Sequence, residues 1–516
     1  MRAVGTVLLL VVLATAVATG ARRWRVPAPS LLVLAGLGVA LIPGAPALHV
    51  APETIGLVVL PPLLYAAAEE LSLRDLRAVW RPVTVLALGL VLASAATVGL
   101  LAAALTPLPT SMAFVLGAVL ASTDPVAVSA LGRRLALPGR VQVLVQAESL
   151  FNDATSLVLF RVAVTVAVAS GTVGWQAAGG QFLLLAGGGC AIGAAVAVGV
   201  ALIRRRTTDP VLETVIALVT PYGAYVLAES AHTSGVTAVV VTGVLLGRSG
   251  HRLSDARIRL QLHAVYAVVV FLLESVVFSI IGLELPALVR ELPDGSGLWP
   301  LQALALAAVL IGLRVLWMLP LSAAVKPTGS RPSWRVASVV AWAGTRGVMP
   351  LAAALSVPLV ADDGQQLDGR PLVLVLTTAV VVFTLVVQGL SLAPLVTRSG
   401  LALAPEHTAR EEAEARTAIA RTGLSHLEQL TDLESVPDHV LKRVRRGLEA
   451  RLRNADEQDD TTGADDLAAY RDVRREIIGV QSEELHRLYD DHRISDTTLR
   501  QLQRDLDLEE TGLGER

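Results

Sequence analysis

Long apolar runs recur along the first three-quarters of the chain, separated by short polar breaks. They lie near residues 4–20, 28–43, 53–69, 83–105, 110–131, 142–168, 179–203, 211–229, 233–247, 262–286, 299–324, 335–357 and 371–396. A bilayer core needs a helix of about 20 apolar residues, so the pattern predicts 13 membrane spans. The runs are too long and too uniformly apolar for barrel strands, the only other structure that satisfies its backbone in lipid. The first run also fits the apolar core of a cleaved leader, but similar runs follow at once and it reads as a first span.

The charges between the runs fix an orientation. Breaks after odd-numbered spans carry 19 basic residues, among them Arg22, Arg74, Arg133, Arg204, Arg248 and Lys326, whereas the opposite side holds Arg2, Arg290 and Arg370. Basic loops stay cytoplasmic. The N-terminus is therefore expected outside and the C-terminus in the cytoplasm of a cell carrying the protein in its inner (cytoplasmic) membrane.

Composition agrees, with 53% hydrophobic and 17% charged residues and a mean hydropathy of +0.59. Such a chain is neither disordered nor an ordinary soluble enzyme. The net charge of -2 hides two regions: residues 1–397 carry +7 and residues 398–516 carry -9. The expected organisation is a transmembrane domain over 1–397 and a cytoplasmic helical region over 398–516. In the latter, residues 406–430 and 466–489 read as helices, with a short one near 496–509. No nucleotide loop or nucleic-acid surface is found, no cofactor is implied, and the single Cys190 allows neither an internal disulfide nor a cysteine metal cluster.

Ionisable residues inside a membrane need a reason. Eight lie within or near the edges of the runs: Glu69, Asp124, Glu148, Asp153, Arg161, Glu274, Arg314 and Arg346. In the fifth span, Pro125 follows Ser122-Thr123-Asp124 and predicts a kink or break that exposes those groups. Interrupted helices hold ions at the middle of the membrane in transporters. In the sixth span, Ser149 and Asp153 stack four residues apart, as do Glu148 and Asn152 on the adjacent face. Thr123, Ser149, Asn152 and Asp153, with carbonyls from the break, offer the oxygen ligands a hard cation needs.

In the twelfth span, Gly344 and Gly347 flank Arg346 and Pro350 follows, which predicts a break or tight packing. The Arg346 guanidinium stays charged, so it pairs with Glu148 or Asp124. Arg161 is expected as an end anchor or as a side chain snorkelling to the outer interface. Glu274 either lines a cation path or pairs with Arg314, and Glu69 either ends the third span at an interface or supports the cation path. Gly189 and Gly193 in the seventh span have the small-xxx-small spacing of close helix contacts.

These segments resemble the monovalent cation:proton antiporter family in its sodium/proton exchanger branch, of the bacterial electroneutral type. The resemblance rests on Ser122-Thr123-Asp124-Pro125, Glu148-Ser149-Leu150-Phe151-Asn152-Asp153 and Gly344-Thr345-Arg346-Gly347, with Pro61-Pro62, Ser234-Gly235-Val236 and Ile281-Gly282-Leu283 in support, and covers about residues 5–397. It implies an all-α polytopic fold of 13 helices in two inverted-topology repeats, with the fifth and twelfth interrupted and crossed, in a homodimer. It implies secondary antiport of Na+, or of K+ or Li+, against H+. Asp153 would be the shared cation and proton site, Thr123 and Ser149 its neighbours, Asp124 a support of the unwound region, and Glu148 the ion-pair partner of Arg346. Asn152 stands where electrogenic relatives carry a second Asp, which implies 1:1 exchange. The chain departs from some members after Tyr65, where Ala66 replaces an acid. A cation channel or uniporter on the same fold, a K+-selective antiporter, or a sensor signalling through the tail are the competing readings.

Overall fold

The computed structural model describes residues 2–24, 27–42, 55–71, 73–124, 139–168, 175–207, 209–253, 256–293, 296–324, 333–360, 367–399, 417–429, 438–457 and 461–491, with scattered positions beyond. The chain divides into two units, Met1–Ala402 and Leu403–Arg516.

The first unit is an all-α polytopic membrane assembly. Among the described residues, 7 helices are long and apolar enough to cross a bilayer, and five shorter apolar helices accompany them. The α-helices of this unit, in chain order among the described residues, are α1 (Arg2–Trp24), α2 (Ala28–Ala40), α3 (Leu60–Glu69), α4 (Leu73–Thr84), α5 (Val91–Leu105), α6 (Thr110–Leu120), α7 (Gly139–Val168), α8 (Trp175–Arg204), α9 (Pro210–Ser230), α10 (Gly235–Leu253), α11 (Ala256–Arg290), α12 (Trp299–Ala324), α13 (Ser333–Trp342), α14 (Val348–Leu355) and α15 (Arg370–Ser399).

Local sequence explains the irregular joints. Pro61 and Pro62 open α3 without N–H groups to donate, and the preceding Ile55–Val59 widens into a π-helical turn. Pro82 near the end of α4 precedes a second π-helical stretch, Val85–Leu90, that runs into α5. The Asp209 carboxylate caps α9, accepting from the amides of Val211 at 2.7 Å and Leu212 at 3.3 Å. Two helices meet backbone to backbone where α2 crosses α11. A Cβ on Gly36 would lie 2.1 Å from the Ser279 carbonyl, and one on Gly282 would lie 2.0 Å from that of Val33.

Packing sorts the helices into two groups. In one, α11 lies along α2, α10 packs on α8, α3 and α9, and α9 also touches α11. In the other, α5 packs on α6, α6 on α7, α7 on α4, and α12 on α13 and α15. The seam between the groups is where the chemistry lies.

The second unit is built by itself from a helix over 417–429, α16 (Asp438–Glu457) and α17 (Thr461–Asp490), with α16 packed on α17. Of the apolar positions of α17, Ile478 and Leu485 are buried, whereas Val473 and Ile477 are largely exposed. Most of the expected helix near 496–509 lies outside the described residues.

Candidate functional site

The fifth span breaks earlier than its proline demands. Helix α6 ends at Leu120 and residues 122–124 are not helical, while Pro125 lies outside the described residues. The twelfth span is likewise interrupted at 343–347, between α13 and α14. The two breaks cross. The Asp124 amide donates to the Thr345 carbonyl at 2.8 Å, and the Thr345 hydroxyl donates back to the Asp124 carbonyl at 2.9 Å.

Backbone groups freed by a break in an apolar, membrane-spanning bundle need new partners, and α7 supplies them. The Ser149 hydroxyl donates to the Thr123 carbonyl at 2.5 Å and Ser156 to the Ala118 carbonyl at 2.7 Å. The Asn152 amide donates to Thr123 Oγ1 at 3.0 Å, and that hydroxyl lies 3.4 Å from Glu148 Oε1. Ser122 donates to Asp153 Oδ1 at 2.5 Å. Ser149, Asn152, Asp153 and Ser156 thus form one polar stripe, all buried, against the broken helix.

The arginines are arranged differently from expectation. The Glu148–Arg346 ion pair is not the one formed. Arg314 takes Glu148 instead, Nη1 on Oε1 and Nη2 on Oε2, each at 2.6 Å and both groups buried. Arg346 donates to two carbonyls, Leu120 at 3.1 Å and Gly344 at 2.5 Å. The physical reason lies in the crossing: α6 and α13 both bring their C-terminal ends to this point, and a guanidinium satisfies their carbonyls and their negative dipole ends. The Asp124 carboxylate, correspondingly, lies at the N-terminal end of α14, where a Cβ on Gly347 would coincide with its Oδ2.

A cavity of about 670 Å³ lies on the seam. One wall is α3 and α11, with Glu70, His263, Tyr266 and Glu274; the other is Asp124, Val348 and the α7 positions Gln146, Ser149, Leu150 and Asp153. Depth follows the helix stripes. Glu70 and His263 are exposed, and 11 residues of α11 separate His263 from Glu274, roughly 16 Å at 1.5 Å per residue. Asp153, Asp124 and Ser149 therefore share the cavity, while Thr123 and Asn152 stand behind them and hold the break. Glu274 lines the cavity and is not the partner of Arg314.

Arg161 is held by the α9–α10 connection. It pairs with Glu229 at the end of α9 and donates to the Thr233 carbonyl at 3.3 Å. Arg204 pairs with Glu213 at 2.6 Å, both buried, at the α8–α9 connection. Sequence reasoning missed Ser122 as the partner of Asp153, Ser156, and the carboxylates Glu213 and Glu229. The helical spacing of Ser149, Asn152, Asp153 and Ser156 was a usable signal for the second of these; nothing local marks the carboxylates.

Residues 8–398 match the family described as sodium/hydrogen exchanger, transmembrane. The chain belongs to the sodium/hydrogen exchanger family. Membership makes it a secondary transporter, not an enzyme. A relative from Mycobacterium tuberculosis, described as an uncharacterized Na+/H+ exchanger, is 35% identical over 526 residues, covering 98% of this chain and 96% of its own. The Na+/H+ antiporter ApNhaP of Aphanothece halophytica is 31% identical over 467 residues, 90% of this chain and 86% of its own. The exchanger fold is also that of the sodium proton antiporter MjNhaP1 of Methanocaldococcus jannaschii, with a TM-score of 0.62 at 20% identity over 78% of this chain and 99% of that one.

Proposed function

We propose that this exchanger moves Na+, or a similar monovalent cation, against H+ through one carboxylate, Asp153. The observation that carries the reading is the position of that side chain: on the cavity seam, held by Ser122, and beside Asp124 and Ser149.

The mechanism follows from electrostatics. A buried carboxylate is costly unless neutralised. Asp153 accepts either a proton or a partly dehydrated cation from the cavity, with Ser149 and carbonyls of the break as further oxygen ligands. Neutralised, the group containing α7 crosses the barrier against the other group; bare, it does not. Competition for one site couples the two fluxes without ATP. Glu148 is already matched by Arg314 and Asn152 is neutral, so a single charge is exchanged and 1:1 stoichiometry is supported.

The same reading gives 13 crossings in two inverted-topology repeats, an external N-terminus, a cytoplasmic region from residue 398 and a homodimer in the cytoplasmic membrane. Support comes from the basic breaks after odd-numbered spans and from the pairing of one broken helix in each half.

The test is flux in everted vesicles with Na+, K+ and Li+ across pH. Asp153→Asn is expected to abolish cation-driven proton movement while the protein still inserts. Retained exchange in that variant would remove Asp153 from the mechanism, and cation flux indifferent to the proton gradient would make the protein a channel.

A further inference from the structure

The cavity occupies only part of the seam. Beyond Asp153, α7 continues for eight residues to Arg161, a rise of about 12 Å. Asp153, Leu157 and Arg161 are spaced four apart and so fall on one stripe. At the far end of that stripe the seam is closed by charge. Arg161, on the group that carries the ion site, pairs with Glu229 of α9, on the other group. The same guanidinium donates to the Thr233 carbonyl at 3.3 Å, and the Glu229 carboxylate also accepts from the Gly235 amide at 3.1 Å. The α9–α10 connection that Arg161 grips is tightly built. His232 has a φ of 55°, and the Ser234 amide donates to the Leu185 carbonyl of α8 at 3.1 Å. Helix α7 packs mainly on α4 and α6, and α9 on α10 and α8, so the charge pair joins two helices whose main packing lies in separate groups.

We infer that Arg161 and Glu229 form a latch that seals the seam on the side opposite the cavity mouth and holds the exchanger in the state seen here. The inference rests on the exchange reading, because only alternating exposure of Asp153 requires the latch to release. The pair is about one-third exposed on both sides, which suits a contact that must break repeatedly; a fully buried pair would resist separation. A ligand-free equilibrium between two states moves by the differential free energy of such a contact.

The test is solvent access to a cysteine at Leu157, between the site and the latch, in full-length protein with Cys190→Ser. A membrane-impermeant maleimide is added in turn to intact cells and to everted vesicles. In the parent, Leu157→Cys is expected to label weakly from intact cells. Arg161→Gln and Glu229→Gln are each expected to raise that labelling about fivefold, and the swapped pair Arg161→Glu with Glu229→Arg to return it toward the parent value. Should Arg161→Gln not reach the membrane, Arg161→Lys, which keeps the charge but loses the fork, carries the same test with a smaller rise. Unchanged labelling in the inserted single variants overturns the latch. So does a rise that the swap leaves in place, because that marks a packing defect. Labelling needs no transport, so failure of the latch and failure of the exchange assignment are read separately.

Discussion

Glu148 and Arg314 meet fork to fork, two hydrogen bonds of 2.6 Å inside the membrane unit, with both side chains almost fully buried. Removing one partner leaves the other as an uncompensated buried charge, at a cost of about 3–5 kcal/mol. Arg314→Gln and Glu148→Gln are expected to lower the melting temperature of the detergent-solubilised protein sharply. Arg314→Lys will not rescue it, since an ammonium cannot span both oxygens. The double variant Glu148→Gln with Arg314→Gln should be much less destabilised than the two singles together. A cycle pairing Glu148 with Arg346 should couple more weakly, because Arg346 spends its donors on the Leu120 and Gly344 carbonyls.

Gly347 makes room for Asp124. A methyl group there would sit 1.4 Å from Asp124 Oδ2, so the carboxylate must leave the N-terminal end of α14. The crossing bonds between Asp124 and Thr345 run through the same backbone. Gly347→Ala is expected to cut cation-driven proton flux at least tenfold, the equivalent of about 1.4 kcal/mol, with insertion into the membrane retained. Vesicle flux normalised to protein amount checks it.

Much of this was legible beforehand, for physical reasons. The lipid requirement makes spans stand out as apolar runs, a polar triplet before Pro125 signals a kink or a break, and two glycines around Arg346 signal a break or tight packing. The stripe on α7 was readable because helical spacing is fixed. Pairing was not readable. Arg314 lies 166 residues from Glu148, and its sequence neighbours are apolar, so nothing local tells it apart from Arg346 as the partner. The choice is made by the crossing, which turns two helix C-termini toward Arg346 and leaves Glu148 to α12. The early end of α6 was unreadable for the same reason, because it is set by bonds to α7, whereas the start of α9 is capped locally by Asp209.

Glycine spacing separates contact from coincidence on α8. Gly189 and Gly193 face the neighbouring backbone, where a Cβ would fall 2.6 Å from the Ser234 carbonyl and 2.4 Å from that of Ala238. At Gly187, nothing lies within 4 Å. Gly193→Leu is expected to separate α8 from α10 and destabilise the protein by more than about 2 kcal/mol, as overpacking does. Gly187→Ala should be neutral or stabilising by up to about 1 kcal/mol, from helix propensity. Paired thermal melts of the two variants check the contrast.

Two serines on α7 perform the same bond in different places. Ser149 donates to the Thr123 carbonyl and Ser156 to the Ala118 carbonyl, at 2.5 Å and 2.7 Å. Each alanine variant leaves one buried carbonyl without its donor, at a cost of about 1–3 kcal/mol, so both should melt earlier by similar amounts. Transport should part them. Ser149 lines the cavity with Asp153, and its bond fixes the stretch that presents Ser122 to the carboxylate. Ser156 is outside the cavity lining and ties down a helical turn below the break. Ser149→Ala is therefore expected to raise the cation concentration for half-maximal exchange about tenfold, whereas Ser156→Ala leaves it within about twofold, each being the fold-change of a lost oriented contact or of none. Ser149→Thr, which keeps the hydroxyl, should recover most of the affinity. Equal shifts in the two alanine variants would mean that Ser149 acts only by holding the helix together.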